Sequence, residues 1–193
     1  MKASDIPNII TIFRIGIVPA VVVSLLYEKY TLAIILFTVA GISDGLDGYI
    51  AKRFNFISRL GSILDPLADK LLLISTYVAL GWLGHLPLWI VMLVIGRDVV
   101  ILFGAMAYHR LVGAYEMAPS WISKGNTFFQ IILGLSVVLG ADGVSLSEQL
   151  IDVLIYTVAV TTVLSGLDYV WTWGARAWRS RHIQGHNTSN GER

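Results

Sequence analysis

The sequence predicts an all-α integral membrane protein, a bundle of six transmembrane helices with both termini in the cytoplasm. Hydrophobic residues make up 55% of the 193 residues and charged residues only 14%, which is too apolar for a soluble globular protein of this size. Stretches of about 20 mainly apolar residues, the length of a helix that crosses a bilayer, recur along the chain. Most connections between them are short, so we expect a single membrane domain.

The six stretches differ in the charges that they carry. The first is too long for a signal peptide and lacks a small-residue cleavage site, so we expect it to be retained. The second and third each carry two aspartates, the fourth carries Arg97 beside Asp98, and the fifth carries Lys124 near its start. The sixth precedes a polar segment. The predicted spans are Asn8 to Leu26, Leu32 to Ala51, Gly61 to Leu83, Pro87 to Tyr108, Ile122 to Gly140 and Leu150 to Trp173.

Basic residues are distributed unevenly between the two sides of the predicted membrane. With six spans, the N-terminus, the second loop, the fourth loop and the C-terminal tail share one side. The opposite loops offer only Lys29, so the positive-inside rule places both termini in the cytoplasm, and in a bacterium the membrane would be the inner membrane. The cytoplasmic side carries Lys2, Lys52, Arg53, Arg59, Arg110, Arg176, Arg179, Arg181 and Arg193.

Few large apolar residues follow Ala175, which divides the chain into two parts. We expect residues 1–175 to form the membrane domain and residues 176–193 to be a polar, disordered tail. The sequence contains no cysteine, which excludes a disulfide framework, a thiolate nucleophile and a cysteine-based zinc or iron–sulfur site. The apolar composition predicts membrane lipids, and no nucleic acid, as partners.

Four aspartates, Asp44, Asp47, Asp65 and Asp69, lie within 26 residues, near the cytoplasmic ends of the second and third predicted helices. Spacings of three and four residues put each pair on one helix face. Because each carboxylate would cost roughly 2.5 to 3.5 kcal/mol at a bilayer centre, the group needs a cationic partner. An all-oxygen cage suits two hard divalent ions, Mg²⁺ or Mn²⁺, and such sites act on phosphate esters and diphosphates. The alternative is a set of helix-end charges solvated at the interface.

The residues between the two aspartate pairs strengthen the metal-site interpretation. Gly41, Gly45 and Gly48 recur at helical spacing and would let a ligand approach the backbone, although close helix packing could also explain them. Lys52 and Arg53 follow at once and would balance the charge of a metal-bound diphosphate. Taken alone, these two cations are more typical of an ordinary basic flank of a membrane helix.

A continuous signature covers both pairs. The stretch DGLDGYIAK from Asp44 to Lys52, followed after eight residues by GSILDPLAD from Gly61 to Asp69, resembles the signature of the CDP-alcohol phosphatidyltransferases, DxxDGxxAR, eight residues, GxxxDxxxD. Lys52 stands where that family usually has arginine, so the positive charge is kept but a bidentate phosphate contact is not. The opening stretch IPNIITIFR, from Ile6 to Arg14, is similar to the start of the first helix in the glycerophospholipid branch.

The resemblance implies transfer of the phosphatidyl group from CDP-diacylglycerol to an acceptor alcohol, with release of CMP. By the same resemblance Asp44, Asp47 and Asp65 would be metal ligands, and Asp69 a further ligand or the general base that accepts the proton of the acceptor hydroxyl. Members of the family commonly form homodimers, so a homodimer is compatible with this reading. The implied CDP-lipid-binding residues are Asn8, Thr11, Gly48, Ala51, Lys52 and Gly61.

Two glycerol-type acceptors compete: phosphatidylglycerol, as in cardiolipin synthesis, and glycerol 3-phosphate, as in phosphatidylglycerophosphate synthesis. ISKGNTFFQ, from Ile122 to Gln130, resembles the ISKxNTxxQ stretch of CMP-forming cardiolipin synthases, whereas the glycerol 3-phosphate enzymes tend to have GKxKT there. Asn126 thus replaces a lysine. A phosphodiester carries less charge than a phosphomonoester and needs fewer cations, which also favours phosphatidylglycerol.

Three cations are candidates for binding the acceptor: Arg14, Arg97 and Lys124. Arg97 begins an RDV stretch that looks more like cardiolipin synthases than the other branch. For Arg97 the alternative is a structural pair with Asp98 inside the membrane.

Two other classes of membrane protein also place aspartates on helices. Intramembrane prenyltransferases use them with Mg²⁺ to bind a diphosphate, but their motifs lack the spacing of Gly48, Ala51 and Gly61. A divalent-cation transporter would also carry intramembrane carboxylates, yet here the acids gather at one membrane face and form no relay to the other.

Overall fold

The computed structural model describes the backbone of residues 6–54, 61–112 and 121–189, and side chains within residues 10–44, 67–102, 104 and 121–171. This part of the chain is all-helical and contains no strand, which confirms the all-α part of the predicted fold class. Each helix matches a predicted span to within a few residues, except at the C-terminal end of the last one. The helices are α1 (Ile6–Leu26), α2 (Tyr30–Phe54), α3 (Gly61–Trp82), α4 (Leu88–Val112), α5 (Trp121–Ala141) and α6 (Glu148–Ser189).

The last helix, α6, continues to Ser189, whereas the sequence predicts a span that ends at Trp173 and a disordered tail after residue 175. That expectation rested on polarity, and polarity alone does not end a helix. Once a helix is nucleated, each further residue adds one hydrogen bond at a modest entropic cost. The segment up to Ser189 is therefore helical, and the division into a membrane domain and a tail stays a prediction.

Among the residues whose side chains the structure describes, two helical segments are long and apolar enough to cross a membrane: Trp121–Ala141, and Glu148–Trp171 within α6. Two shorter apolar segments, Ile10–Leu26 and Tyr30–Asp44, lie in α1 and α2. Within the described residues hydropathy thus supports two spans, and the six-span topology stays a prediction.

Three connections close one end of the bundle with the same hydrogen-bond pattern. After α1, α3 and α5 comes a residue with positive φ, namely Glu28 at 57°, Gly84 at 78° and Gly143 at 95°. In each case the next amide donates to the carbonyl five residues earlier, which is the Schellman helix cap. Glycine adopts this conformation freely, whereas for a residue such as Glu28 it costs roughly 1 to 2 kcal/mol.

Side-chain hydrogen bonds show that the three caps lie on the same side. The Tyr30 hydroxyl is 2.9 Å from His85 Nε2, which joins the α1–α2 turn to the α3–α4 turn. The Thr31 hydroxyl donates to Asp142 at 2.8 Å, which joins the first turn to the α5–α6 turn. Helices α1, α3 and α5 therefore run in the same direction, antiparallel to α2, α4 and α6.

Helix packing divides the bundle into two groups. Helix α1 packs against α2 and α3, and α6 packs against α4 and α5. Contacts of α5 with α2 and α3, and of α3 with α4, join the groups. Tyr77 is fully buried and its hydroxyl donates to the Gln130 carbonyl at 2.9 Å, which fixes α3 against α5. Other large core side chains are Val21, Leu25, Leu80, Leu86, Ile90, Val94, Leu133 and Val158.

The outer faces of all six helices expose large apolar side chains, while several polar and charged side chains are buried. Met92 is 71% exposed and Trp171 is 80% exposed, whereas Arg14, Asn126 and Gln130 are fully buried. A protein in water rarely exposes so much contiguous apolar surface, so this distribution indicates association with a membrane.

Candidate functional site

Two of the four predicted site aspartates have described side chains, and these two converge. Asp44 lies on α2 and Asp69 on α3, and their side chains are 43% and 47% exposed. Asp47 and Asp65 lie on the same two helices, but their side chains fall outside the described residues.

Arg14 of α1 joins the two carboxylates. Its Nη1 donates to Asp69 Oδ1 at 2.5 Å and lies 2.6 Å from Asp44 Oδ1, while only 1% of its side chain is exposed. Arg14 and Asp69 each follow the first residue of their helix by eight positions, or about 12 Å of helix, so the contact lies inside the bundle. A buried guanidinium is stable only with such partners. The structure thus places Arg14, predicted to bind the acceptor, against the aspartates.

The chemistry of this site fits a hard divalent cation. Asp44 and Asp69 offer carboxylate oxygens, the ligands that Mg²⁺ and Mn²⁺ prefer, and each side chain keeps almost half of its surface exposed. Arg14 offsets the repulsion between them and holds them together in the absence of an ion. Within the described residues no group of three or more acidic or histidine side chains forms a complete metal site. The two-ion site stays a prediction.

The predicted CDP-lipid-binding residues lie on the helices that form this site. Thr11 is fully buried on α1, three residues before Arg14 and so on the same helix face. The backbones of the others belong to α1, α2 and the first residue of α3, whereas their side chains lie outside the described part. These residues are Asn8, Gly48, Ala51, Lys52 and Gly61.

Arg97 lies in a second charged cluster, between α4, α5 and α6. Its Nη1 donates to Asp98 at 2.7 Å, and its Nη2 donates to Ser123 at 2.5 Å and to Ser165 at 2.6 Å. The guanidinium carbon also lies 5.8 Å from the centre of the Tyr169 ring. The buried pair with Asp98 is therefore present, and acceptor binding by Arg97 stays a prediction.

Lys70 belongs to the same cluster, and the sequence did not single it out as a site residue. Its Nζ donates to Asp98 Oδ1 at 2.5 Å, so it bridges α3 and α4. It directly follows Asp69, which makes it the link between the two clusters. The charged residues within the predicted helices could have identified Lys70, since an acid inside a membrane helix needs a cation as its partner.

The α5 residues that favoured one acceptor have different surroundings. Lys124 is exposed, and its ammonium lies 5.0 Å from the centre of the Trp121 ring. Asn126 is fully buried, and its Oδ1 accepts hydrogen bonds from Thr161 and Thr162, both at 2.9 Å. Asn126 therefore connects α5 to α6, whereas Lys124 can reach a ligand at the surface.

Comparison with known proteins identifies the family. Residues 4–165 match the family model described as CDP-alcohol phosphatidyltransferase, and this range contains both clusters. The chain is 32% identical over 181 residues to the cardiolipin synthase (CMP-forming) of Rattus norvegicus, which covers 85% of this chain and 60% of the relative. The chain thus spans less than two thirds of that relative's length.

Bacterial relatives carry names from both branches. The chain is 33% identical over 150 residues to the cardiolipin synthase (CMP-forming) of Streptomyces coelicolor, which covers 74% of this chain and 68% of the relative. It is 29% identical over 175 residues to the CDP-diacylglycerol–glycerol-3-phosphate 3-phosphatidyltransferase of Blochmanniella floridana, which covers 87% of this chain and 90% of the relative. The chain belongs to the CDP-alcohol phosphatidyltransferase family.

Proposed function

We propose that this protein transfers the phosphatidyl group from CDP-diacylglycerol to a glycerol-type acceptor and releases CMP, with phosphatidylglycerol as the acceptor. The observation that carries the proposal is the convergence of Asp44 and Asp69, one from each half of the signature, on the buried Arg14. This contact brings the two halves of the signature into one site, next to surfaces that suit lipid.

Asp44, Asp47, Asp65 and Asp69 would hold two divalent ions, Mg²⁺ or Mn²⁺. When bound, such ions would neutralise the diphosphate and make CMP a better leaving group. Arg14 holds Asp44 and Asp69 at a fixed separation, so these ligands are already positioned before the substrate arrives. The acyl chains of the donor can stay in the bilayer beside the apolar helix faces.

Asp69 is the residue we assign to proton transfer, in addition to metal binding. A free aspartate has a pKa of about 4 and is a weak base for an alcohol, so it depends on positioning. The contact with Arg14 at 2.5 Å supplies this positioning, and the exposure of the side chain lets an acceptor hydroxyl approach.

We place the site on the cytoplasmic side of a six-span, multi-pass protein whose membrane domain is residues 1–175, in the inner membrane if the organism is bacterial. The three helix caps at Glu28, Gly84 and Gly143 lie at one end of the bundle, where Lys29 is the only lysine or arginine of the three connections. The more basic end, which carries the signature, then faces the cytoplasm. The homodimer stays a prediction.

The choice of phosphatidylglycerol rests on the cations near the site. Arg14 and Arg97 are both buried and paired with carboxylates, which leaves little positive charge for a phosphomonoester. Lys124 is exposed and could contact the acceptor headgroup. The ISKGNTFFQ stretch and the cardiolipin synthase relatives favour the same acceptor, and glycerol 3-phosphate is the alternative.

The test is reconstitution of the purified protein in vesicles with CDP-diacylglycerol, Mn²⁺ or Mg²⁺, and either acceptor. We expect CMP and cardiolipin from phosphatidylglycerol. Formation of phosphatidylglycerophosphate from glycerol 3-phosphate would select the alternative acceptor. Transfer of an isoprenoid with release of pyrophosphate, or metal flux without turnover of the CDP-lipid, would refute the proposal.

A variant tests the role of Asp69. Asp69→Asn should abolish CMP release while largely sparing CDP-diacylglycerol binding, because the amide keeps the shape but is not a base. Asp142→Asn is the matched control, since Asp142 is exposed at the opposite end of the bundle. Turnover by Asp69→Asn equal to that of the control would remove Asp69 from the base role.

A further inference from the structure

The cluster of Lys70, Asp98 and Arg97 contains one cation that is open to a ligand. The side chains of Asp98 and Arg97 are 6% and 5% exposed, whereas that of Lys70 is 35% exposed. Both cations contact the same oxygen, Asp98 Oδ1. Lys70 therefore lies at the edge of the cluster, and the other two residues lie inside the protein.

Arg97 cannot leave this position without breaking several contacts. Its two terminal nitrogens bind Asp98, Ser123 and Ser165, which belong to α4, α5 and α6. Gly166 of α6 lies close to the Arg97 side chain, since a Cβ added there would be at van der Waals distance, 3.9 Å. Arg97 thus holds the Asp98 carboxylate in a fixed position.

Lys70 keeps donors that can bind an anion. Asp98 shares one carboxylate oxygen between Lys70 and Arg97, so neither cation has this carboxylate to itself. A lysine ammonium has three donors, and Asp98 takes one of them. Lys70 and Asp69 point about 100° apart on α3 but share one helical turn, so an anion bound by the remaining donors of Lys70 would lie close to the aspartate site.

We propose that Lys70 binds a phosphate oxygen of a substrate, and that Asp98 and Arg97 are positioning residues that hold its ammonium beside Asp69. The ligand class is a phosphate ester, either the diphosphate of the CDP-lipid or the phosphate of the acceptor. This inference rests on the proposed function and assigns a substrate contact to a residue outside the aspartate signature.

Lys70→Met tests the contact, with Lys70→Arg as the conservative variant and Lys29→Met, at the opposite end of the bundle, as the matched control. The Kd of the donor is obtained from the thermal shift that CDP-diacylglycerol produces without acceptor. Acceptor binding is followed by the KM of the acceptor in CMP release. We expect Lys70→Met to raise one of these constants about tenfold to a hundredfold, the effect of one charge-assisted hydrogen bond. Lys70→Arg should restore most of the loss.

The two measurements distinguish the two sources of phosphate. A weaker donor affinity would assign Lys70 to the CDP-lipid, and a raised acceptor KM with unchanged donor affinity would assign it to the acceptor. Constants within twofold of those of Lys29→Met in both measurements would overturn the contact. If the wild type released no CMP but Lys70→Met still weakened donor binding, the proposed function would fail and the Lys70 contact would stand. Absence of donor binding by the wild type would overturn both.

Asp98→Asn tests the positioning of the Lys70 ammonium by Asp98 and Arg97. It should raise the same constant as Lys70→Met, and it should add nothing further in the double variant, because both act through one ammonium. Additive effects would overturn the positioning role. If Asp98→Asn does not fold, Ser165→Ala removes one hydrogen bond of Arg97 without leaving a charge unpaired, and it should raise the same constant by a smaller factor. A Ser165→Ala protein with unchanged constants would then overturn the role.

Discussion

The contact of Arg14 with two carboxylates predicts that metal binding and protein stability are linked. In Arg14→Met an apolar side chain of similar length replaces the guanidinium between Asp44 and Asp69. The two carboxylates then repel each other, with no cation between them. A divalent ion bound by these carboxylates should replace the lost charge, so the defect should depend on the metal concentration.

The magnitude follows from the exposure of the partners. Removing one member of a buried ion pair costs about 3 to 5 kcal/mol when the remaining charge stays buried. Asp44 and Asp69 are 43% and 47% exposed, so water can solvate part of their charge and we expect about 3 kcal/mol. For a chain of this size that lowers Tm by about 6 to 12 °C. An ion at about 100 times its Kd returns about 2.7 kcal/mol.

The assay is thermal unfolding of the detergent-solubilised protein in EDTA and in increasing Mn²⁺. Arg14→Met should unfold well below the wild type in EDTA and gain more from Mn²⁺ than the wild type does. Lys29→Met, which removes a cation far from the site, should match the wild type in both conditions. If Arg14→Met had the Tm of that control in EDTA, or gained no more than the wild type from Mn²⁺, Arg14 would not be the counterion of these carboxylates.

Two further predictions concern the helix ends and α5. Glu28→Gly should raise the unfolding free energy by about 0.5 to 1 kcal/mol, because glycine adopts a positive φ more readily than glutamate. Gly143→Ala should lower it by about 1 kcal/mol, because alanine is strained at a positive φ. Changes of the same sign in denaturant titrations of the two variants would contradict this. Asn126→Lys should lower Tm without changing the acceptor, because a charge would replace the buried acceptor of the Thr161 and Thr162 hydrogen bonds. A switch to glycerol 3-phosphate at unchanged Tm would show instead that residue 126 selects the acceptor.

The helices were predictable because each depends on a local pattern. The length of the apolar stretches located all six helices to within a few residues. Gly84 and Gly143 are the residue type that a Schellman cap prefers at its positive-φ position. The end of α6 was not predictable in this way. Polar residues there ended the apolar pattern, but they did not end the helix, which continues to Ser189.

The partners within the site were less predictable, because they depend on which helices are neighbours. Arg14 lies 30 residues from Asp44 and 55 from Asp69, and nothing local to α1 shows that it packs against both α2 and α3. Lys70 directly follows Asp69 in the sequence. On a helix, however, adjacent residues point in directions about 100° apart, and Lys70 bonds Asp98 on α4 instead.

For Asn126, the resemblance to a motif and the charge argument about the acceptor lead to different conclusions. Its place in the ISKGNTFFQ stretch still favours the cardiolipin branch by resemblance. The charge argument, that a lost lysine leaves room for a phosphodiester, assumes that residue 126 faces a ligand. Asn126 is instead buried against α6, so acceptor charge must be judged from cations that a ligand can reach, which makes Lys70 and Lys124 the residues to test first.

The charges of the two clusters explain why the proposed site needs added cations. Arg14, Lys70 and Arg97 balance Asp44, Asp69 and Asp98, so the described charges of the connected clusters sum to zero. The signature adds the carboxylates of Asp47 and Asp65 and one cation, Lys52, so the whole site carries one net negative charge. A diphosphate approaching such a site would be repelled by the carboxylates. Two divalent ions would reverse the sign of the site, and this is the physical reason for including them in the proposed reaction.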